Sequence, residues 1–270
     1  MRSLLFAGAS RPDLVAKLDR AGADAAIVDL EDAVPVAGKN EARAALPELV
    51  ASVARTPVLV RVNAATTEWF DADLDAVAEL GEAVAGVVVS KVEAPGELES
   101  AAGRLGEGAV VIAGIESARG VAQVEALLEA GASACYFGAE DYIADLGGRR
   151  TAEGTEALYA RSRVALAARL AGVAALDQVV TDFRDDGAFE RDAAAGRDLG
   201  YRGKLCIHPA QVPIANRVFS ASEEELARAR GILAAWEEGT ARGIAAVEFE
   251  GEMIDGPAIR MARDTIERAG

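Results

Sequence analysis

Apolar residues in this chain come in short unbroken runs, and polar or charged residues close several of them. The runs are Leu4 to Ala9, Ala25 to Leu30, Val58 to Val62, Val87 to Val92, Val110 to Ile115, Ala134 to Gly138, Gln178 to Asp182 and Lys204 to Ile207. Runs without polar alternation are what strands buried on both faces require, as in a parallel sheet covered by helices. Between them lie Ala-rich amphipathic stretches such as ELESAAGRLGEG and GVAQVEALLEAGA, the second closing on Gly131 as a helix C-terminus does. Eight strand-helix units over about 220 residues predict an α/β chain folded as a (β/α)8 TIM barrel, in preference to an open doubly wound sheet. No glycine-rich dinucleotide fingerprint follows the first run.

The pattern changes after the eighth run. SASEEELARARGILAAWEEGTARG reads as one long helix opened by a Ser with acids in its first turn, followed by AVEFEGEMIDGP and a short last helix, PAIRMARDTIERAG. The expected division is a barrel over 1–219 and a C-terminal helical extension over 220–270. The extension is surplus to a barrel and must pack on its own barrel or on a neighbouring subunit.

Composition narrows the function classes. The chain of 270 residues is 51% hydrophobic with mean hydropathy +0.14, which excludes disorder. A net charge of −16 disfavours nucleic acid and anionic lipid surfaces as partners. An anionic small molecule would need a local cation or a bound metal where it docks. Cys135 and Cys206 sit within apolar runs and read as reduced, buried residues, so a cytoplasmic setting is expected. MRSLLFAGAS resembles a signal peptide only superficially, because its apolar run is short and Arg-Pro-Asp follows. No apolar segment approaches the roughly 20 residues that span a bilayer, so no membrane partner is expected.

In a barrel, the carboxyl ends of the strands share one mouth, where barrel enzymes keep their active sites. Those ends carry Arg11, then Asp29, Glu31 and Asp32, then Arg61 with Asn63, Lys91, Glu116, Glu140 with Asp141, Asp182, and His208. So many carboxylates cannot converge uncompensated. A divalent cation is the economical remedy, and oxygen-only ligation by one or two carboxylates suits Mg²⁺. Zinc fits less well, since the chain has a single His and its two Cys lie inside strands. Each acid taken singly is also explained as a helix cap or first-turn charge, Glu116 before SARG above all. Arg61 and Lys91 could equally belong to a structural ion-pair network. The lone His208 before Pro209 reads as a local hydrogen-bonding residue.

SLLFAGASRP, IVDLEDAV, VLVRVNA, SKVE, IESARG, FGAEDY and GKLCIHPAQ occur in an order that resembles the citrate lyase β subunit (citryl-CoA lyase) family, within the wider HpcH/HpaI aldolase and malyl-CoA lyase superfamily. The likeness runs from Leu4 to GEMIDGP. It implies a Mg²⁺-dependent barrel enzyme, a carbon-carbon lyase acting on a CoA thioester such as citryl-CoA or malyl-CoA. The products would be acetyl-CoA or a similar acyl-CoA and a 2-oxo acid. By the same resemblance Glu116 and Asp141 are the metal ligands, Arg61 contacts substrate oxygens, and Glu31 and Asp32 hold metal-bound waters. Asp255 of the M-I-D segment reaches a neighbouring subunit's site as the proton-transfer acid. Gly138, Ala139 and Lys91 are expected along the substrate. Arg11, Lys39 and Arg43 could meet the CoA phosphates, although solvated surface roles suit them as well. A trans-acting Asp255 makes a closed ring the expected assembly, a homotrimer or homohexamer.

Two departures from the family pattern lie near the mouth: Ser90 where a Pro commonly precedes the fourth-strand Lys, and Ala-Gly-Ala-Ser where a Pro-Gly pair follows the first strand. They bear on which acyl-CoA is used. A class II pyruvate aldolase acting on free 2-oxo acids is the competing enzyme reading, but it needs a His near the second strand and none is there. A non-catalytic metal- or ligand-binding barrel is the third.

Overall fold

In a computed structural model that describes residues 1–243 and 246–267, eight parallel strands close into a barrel in sequence order. They are β1 (Ser3–Gly8), β2 (Ala25–Asp29), β3 (Val58–Val62), β4 (Gly86–Val89), β5 (Val110–Ile115), β6 (Ala134–Phe137), β7 (Ala174–Asp177) and β8 (Gly203–Cys206). β8 pairs back onto β1, with Leu4 opposite Leu205, so no edge is left open.

Alternate residues of each strand face opposite ways, and the burial pattern follows that period. One set, including Leu4, Ile27, Leu59, Val88, Ile112, Tyr136, Leu176 and Leu205, forms a compact cluster drawing on all eight strands, which fills the barrel interior. The other set, including Leu5, Val28, Val60, Val87, Val111 and Cys135, joins the helices in the larger outer core. Both faces of each strand are therefore dry, which is why the runs read as unbroken. Burial pushes the thiols of Cys135 and Cys206 up to about 12.

The seventh strand differs from the expectation. The run chosen, Gln178 to Asp182, follows the strand, which is Ala174–Asp177. Strand pairing decides the matter: Tyr136 lies opposite Leu176 and Leu176 opposite Gly203. The last residue, Asp177, is fully buried between Arg161 and Lys204. Asp182 accordingly sits on an exposed loop, where it accepts the Arg184 backbone N–H.

The chain divides into two compact units at Phe219 and Ser220. In the second, Ser222 and Glu225 form a reciprocal capping box that opens the helix Glu223–Ala241. A hairpin follows, β9 (Val247–Phe249) against β10 (Glu252–Ile254). Its two-residue turn, Glu250 and Gly251, has φ of 51° and 83°, the positive pair that a type I′ hairpin turn requires. The helix Gly256–Glu267 closes the unit over a small core of Ala229, Ile232, Ile254, Ile259 and Ala262. Among the described residues no helix is long and apolar enough to cross a membrane.

Candidate active site

The inward parity of the strands carries the chemistry. Counting by twos from the packed interior, β2 runs from Ile27 to Asp29, β3 from Leu59 to Arg61, β5 from Ile112 through Gly114 to Glu116, and β6 from Ala134 through Tyr136 to Gly138. The last member of each series opens on a cavity of about 490 Å³ at the carboxyl end of the barrel, with Asp32, Ala139 and Asp141 among its other lining residues.

Arg61 and Asp29 are partners across the β2–β3 register. Arg61 Nε and Nη2 donate to the two oxygens of Asp29, each at 2.7 Å, and Nη1 lies 3.0 Å from Glu31 Oε2. Asp29 thus takes two of the five N–H donors of the guanidinium, and the Nη1 contact with Glu31 Oε2 is an ion pair without a hydrogen bond. Asp29 also accepts the backbone N–H groups of Glu31 and Ala33, fixing the turn that presents Glu31 and Asp32. Burial pushes Glu31 up to about 7; Arg61 opposes the shift and Glu116 adds to it.

Glu116 is 3% exposed. The helix cap is not its role, because Ser117 caps the helix Ala118–Glu129 by accepting the Gly120 N–H. Its Oε1 accepts the Lys91 backbone N–H at 3.0 Å and the Tyr136 hydroxyl at 2.5 Å. Burial raises the Glu116 pKa against the pull of Arg61, Tyr136 and Lys91. Lys91 takes a left-handed φ of 50°, uncommon for a residue with a side chain. Its ammonium bonds Glu31 and lies 3.3 Å from Asp32 and 3.4 Å from Asp141. Burial would lower the Lys91 pKa, but the bond and charge of Glu31 outweigh it and leave it raised. Ser90, in place of the common Pro, donates to the Val62 carbonyl at 2.9 Å.

Asp141 stands half-exposed in the first turn of Ala139–Asp145, beside Glu140, whose Oε1 is 3.3 Å from Arg150. Thus Arg61, Glu31, Asp32, Lys91, Glu116, Asp141, Gly138 and Ala139 come together. Other expected residues of the barrel unit do not join them. Lys39 is buried, donating to the carbonyls of Leu30 and Glu31 at 2.8 and 2.7 Å, and Arg43 is held by Asp73 at 2.6 Å. Neither lines the cavity. Arg11 is exposed and pairs with Asp13. Asp255 lies in the C-terminal unit, exposed, where its carbonyl and carboxylate begin the helix Gly256–Glu267. His208 stacks on Phe183 with ring centroids 5.0 Å apart, a local contact.

Two residues of the site, Asp29 and Tyr136, carried no assigned role in the sequence reading. The two-residue period finds both: Asp29 is the inward neighbour of Arg61, and Tyr136 is two residues before Gly138.

The donor set can be tested against a hard divalent cation. Carboxylates outnumber cations at the mouth, and no described residue donates to Glu116 Oε2, which lies toward Gly138. Among the described residues no three His, Cys, Asp or Glu side chains form a ready cage. Two carboxylates with water completing the shell is the arrangement Mg²⁺ favours, so the residues fit.

Comparison with known proteins identifies the family. Residues 2–209 match the HpcH/HpaI aldolase/citrate lyase family. The chain is 47% identical to a citrate lyase subunit beta-like protein of Deinococcus radiodurans, over 97% of this chain and 95% of the relative. It superposes on the crystal structure of CitE from Mycobacterium tuberculosis in complex with magnesium, acetoacetate and coenzyme A with a TM-score of 0.84, at 35% identity and covering 100% of both chains. A citrate lyase beta subunit of that organism, complexed with oxaloacetate and magnesium, matches with a TM-score of 0.70 at 34% identity, over 81% of this chain and 96% of the other. With a closed barrel, an acid-rich mouth and a match across most of its length, the chain belongs to the HpcH/HpaI aldolase/citrate lyase family.

Proposed function

We propose that this chain is a Mg²⁺-dependent carbon-carbon lyase that cleaves or forms a 3-hydroxyacyl-CoA, such as citryl-CoA or malyl-CoA, with acyl-CoA and a 2-oxo acid on the other side of the reaction. The observation that carries it is the buried Glu116, one oxygen saturated and the other left toward the cavity, beside Asp141 and Arg61. Family membership and the magnesium, oxaloacetate and coenzyme A in relatives' complexes support the same reading.

Glu116 and Asp141 would hold the ion, with Glu31 and Asp32 orienting its waters. When bound, Mg²⁺ supplies Lewis-acid polarisation of the substrate's hydroxyl and carboxylate oxygens. Arg61 would direct the N–H donors not taken by Asp29 toward the oxygen on which negative charge develops as the carbon-carbon bond breaks. Asp29 holds that guanidinium rigidly, so no reorientation is needed during reaction. Gly138 and Ala139 let the substrate approach the backbone. The substrate hydroxyl gives up its proton to water as its carbon becomes a carbonyl, and the acyl fragment gains one at carbon from Asp255 of a neighbouring copy, which makes a ring of subunits the working form. A positioned acid of this kind contributes roughly 10²- to 10⁴-fold. Among the cations considered for the CoA phosphates, Arg11 is the one that is exposed.

The decisive assay offers citryl-, malyl- and methylmalyl-CoA to the purified protein with Mg²⁺. Cleavage of one of them, abolished by a chelator, is expected. If all three survive while free 2-oxo acids are split, the aldolase reading replaces this one, and if nothing reacts the barrel is a binding protein.

A further inference from the structure

We infer that Tyr136 is a positioning residue that fixes Glu116 as a single-oxygen cation ligand, and this inference rests on the metal reading of Glu116 given above. Tyr136 stands opposite Gly114 in the β5–β6 register. The phenol crosses the space that a side chain at Gly114 would fill: a Cβ there would lie 2.6 Å from the Tyr136 hydroxyl and 2.5 Å from Glu116 Oε1. The ring is 2% exposed, packed in the barrel interior, and its hydroxyl donates to Glu116 Oε1 at 2.5 Å.

That oxygen also accepts the Lys91 N–H at 3.0 Å, so two donors hold it, one on β6 and one just past the end of β4. Oε2 meets Gly138 instead, where a Cβ would approach to 2.7 Å. Glu116 is thus threaded between two glycines, one oxygen tied back and the other left for the cavity. A cation arriving there meets one oxygen at a set angle. Binding through both oxygens would require the phenol to let go.

Mg²⁺ demands near-ideal octahedral geometry and suits single-oxygen carboxylates, whereas Ca²⁺ readily accepts two oxygens from one carboxylate. Tyr136 therefore contributes selectivity as well as affinity. Losing an outer partner of a ligand commonly weakens metal binding by about 10- to 100-fold.

The test is calorimetry of Mg²⁺ and Ca²⁺ on the full chain without substrate, comparing the parent with Tyr136→Phe and Glu116→Gln. Tyr136→Phe keeps the ring, and Gly114→Ala provides a second route, since its methyl pushes hydroxyl and carboxylate apart. The expected result is Mg²⁺ binding weaker by about 10- to 100-fold in both, with Ca²⁺ weakened less, so that the Mg²⁺/Ca²⁺ affinity ratio falls. A purely packing role would weaken both ions alike and leave the ratio unchanged, overturning the inference. If Glu116→Gln abolishes binding while Tyr136→Phe and Gly114→Ala bind as the parent does, the Tyr136 role alone fails. Parental Mg²⁺ affinity in Glu116→Gln removes the metal reading and this inference together.

Discussion

Asp29 accepts from Arg61 on both oxygens while taking two backbone N–H groups from the turn beyond it. Arg61 is largely buried, so its charge depends on that partner. Removing one member of a buried pair leaves an uncompensated ion, at a cost of about 3–5 kcal/mol. Asp29→Ala should lower unfolding free energy by that order in urea titration and reduce turnover with it. A loss below about 1 kcal/mol would mean that Glu31, at 3.0 Å, carries the guanidinium unaided. At the end of its apolar run Arg61 is expected at the mouth, facing either ligand or acid. In the structure it lines the cavity and is paired with Asp29 and Glu31.

At the level of elements, a carboxylate outside the barrel clips a connection in place. Asp19, in the short turn before β2, accepts the backbone N–H of Thr56 at 2.9 Å, of Ala54 at 2.8 Å and of Arg55, just ahead of β3. Those bonds, Thr56 foremost and then Ala54 and Arg55, hold Asp19 down to about 2 against the effect of burial. A folded-state pKa below the unfolded value of about 3.9 means the clip stabilises above that pH and fades as pH falls towards 2. Urea midpoints followed from pH 6 down to pH 2 should drop more steeply in the parent than in Asp19→Asn, and parallel curves would refute the clip. Nothing in the sequence announced it, since an Asp within three residues of a basic side chain looks like an ordinary solvated charge. The strands were more legible. Seven of the apolar runs overlap observed strands, because burial on both faces leaves few other uses for a Val- and Ile-rich run. The seventh was misplaced because AALD is short and Ala-rich, while QVVTD beside it has the higher β-propensity. Tertiary pairing overrode the local preference.

For the whole molecule, the proposed reading assigns the proton donor to one copy and the ion to another. Protein carrying Glu116→Ala and protein carrying Asp255→Asn should each be inactive. Unfolded together and refolded, they should recover a fraction of parental turnover, since some sites then receive both intact residues. No recovery, with the mixed assembly verified by mass, would place Asp255 in service of its own barrel or of none.

The inner cluster contributed by all eight strands plugs the barrel beneath Arg61 and Glu116, so the cavity is a blind pocket and not a passage. Whatever enters must back out by the same door. On the proposed reading, both fragments of a substrate cleaved there would leave through that one opening.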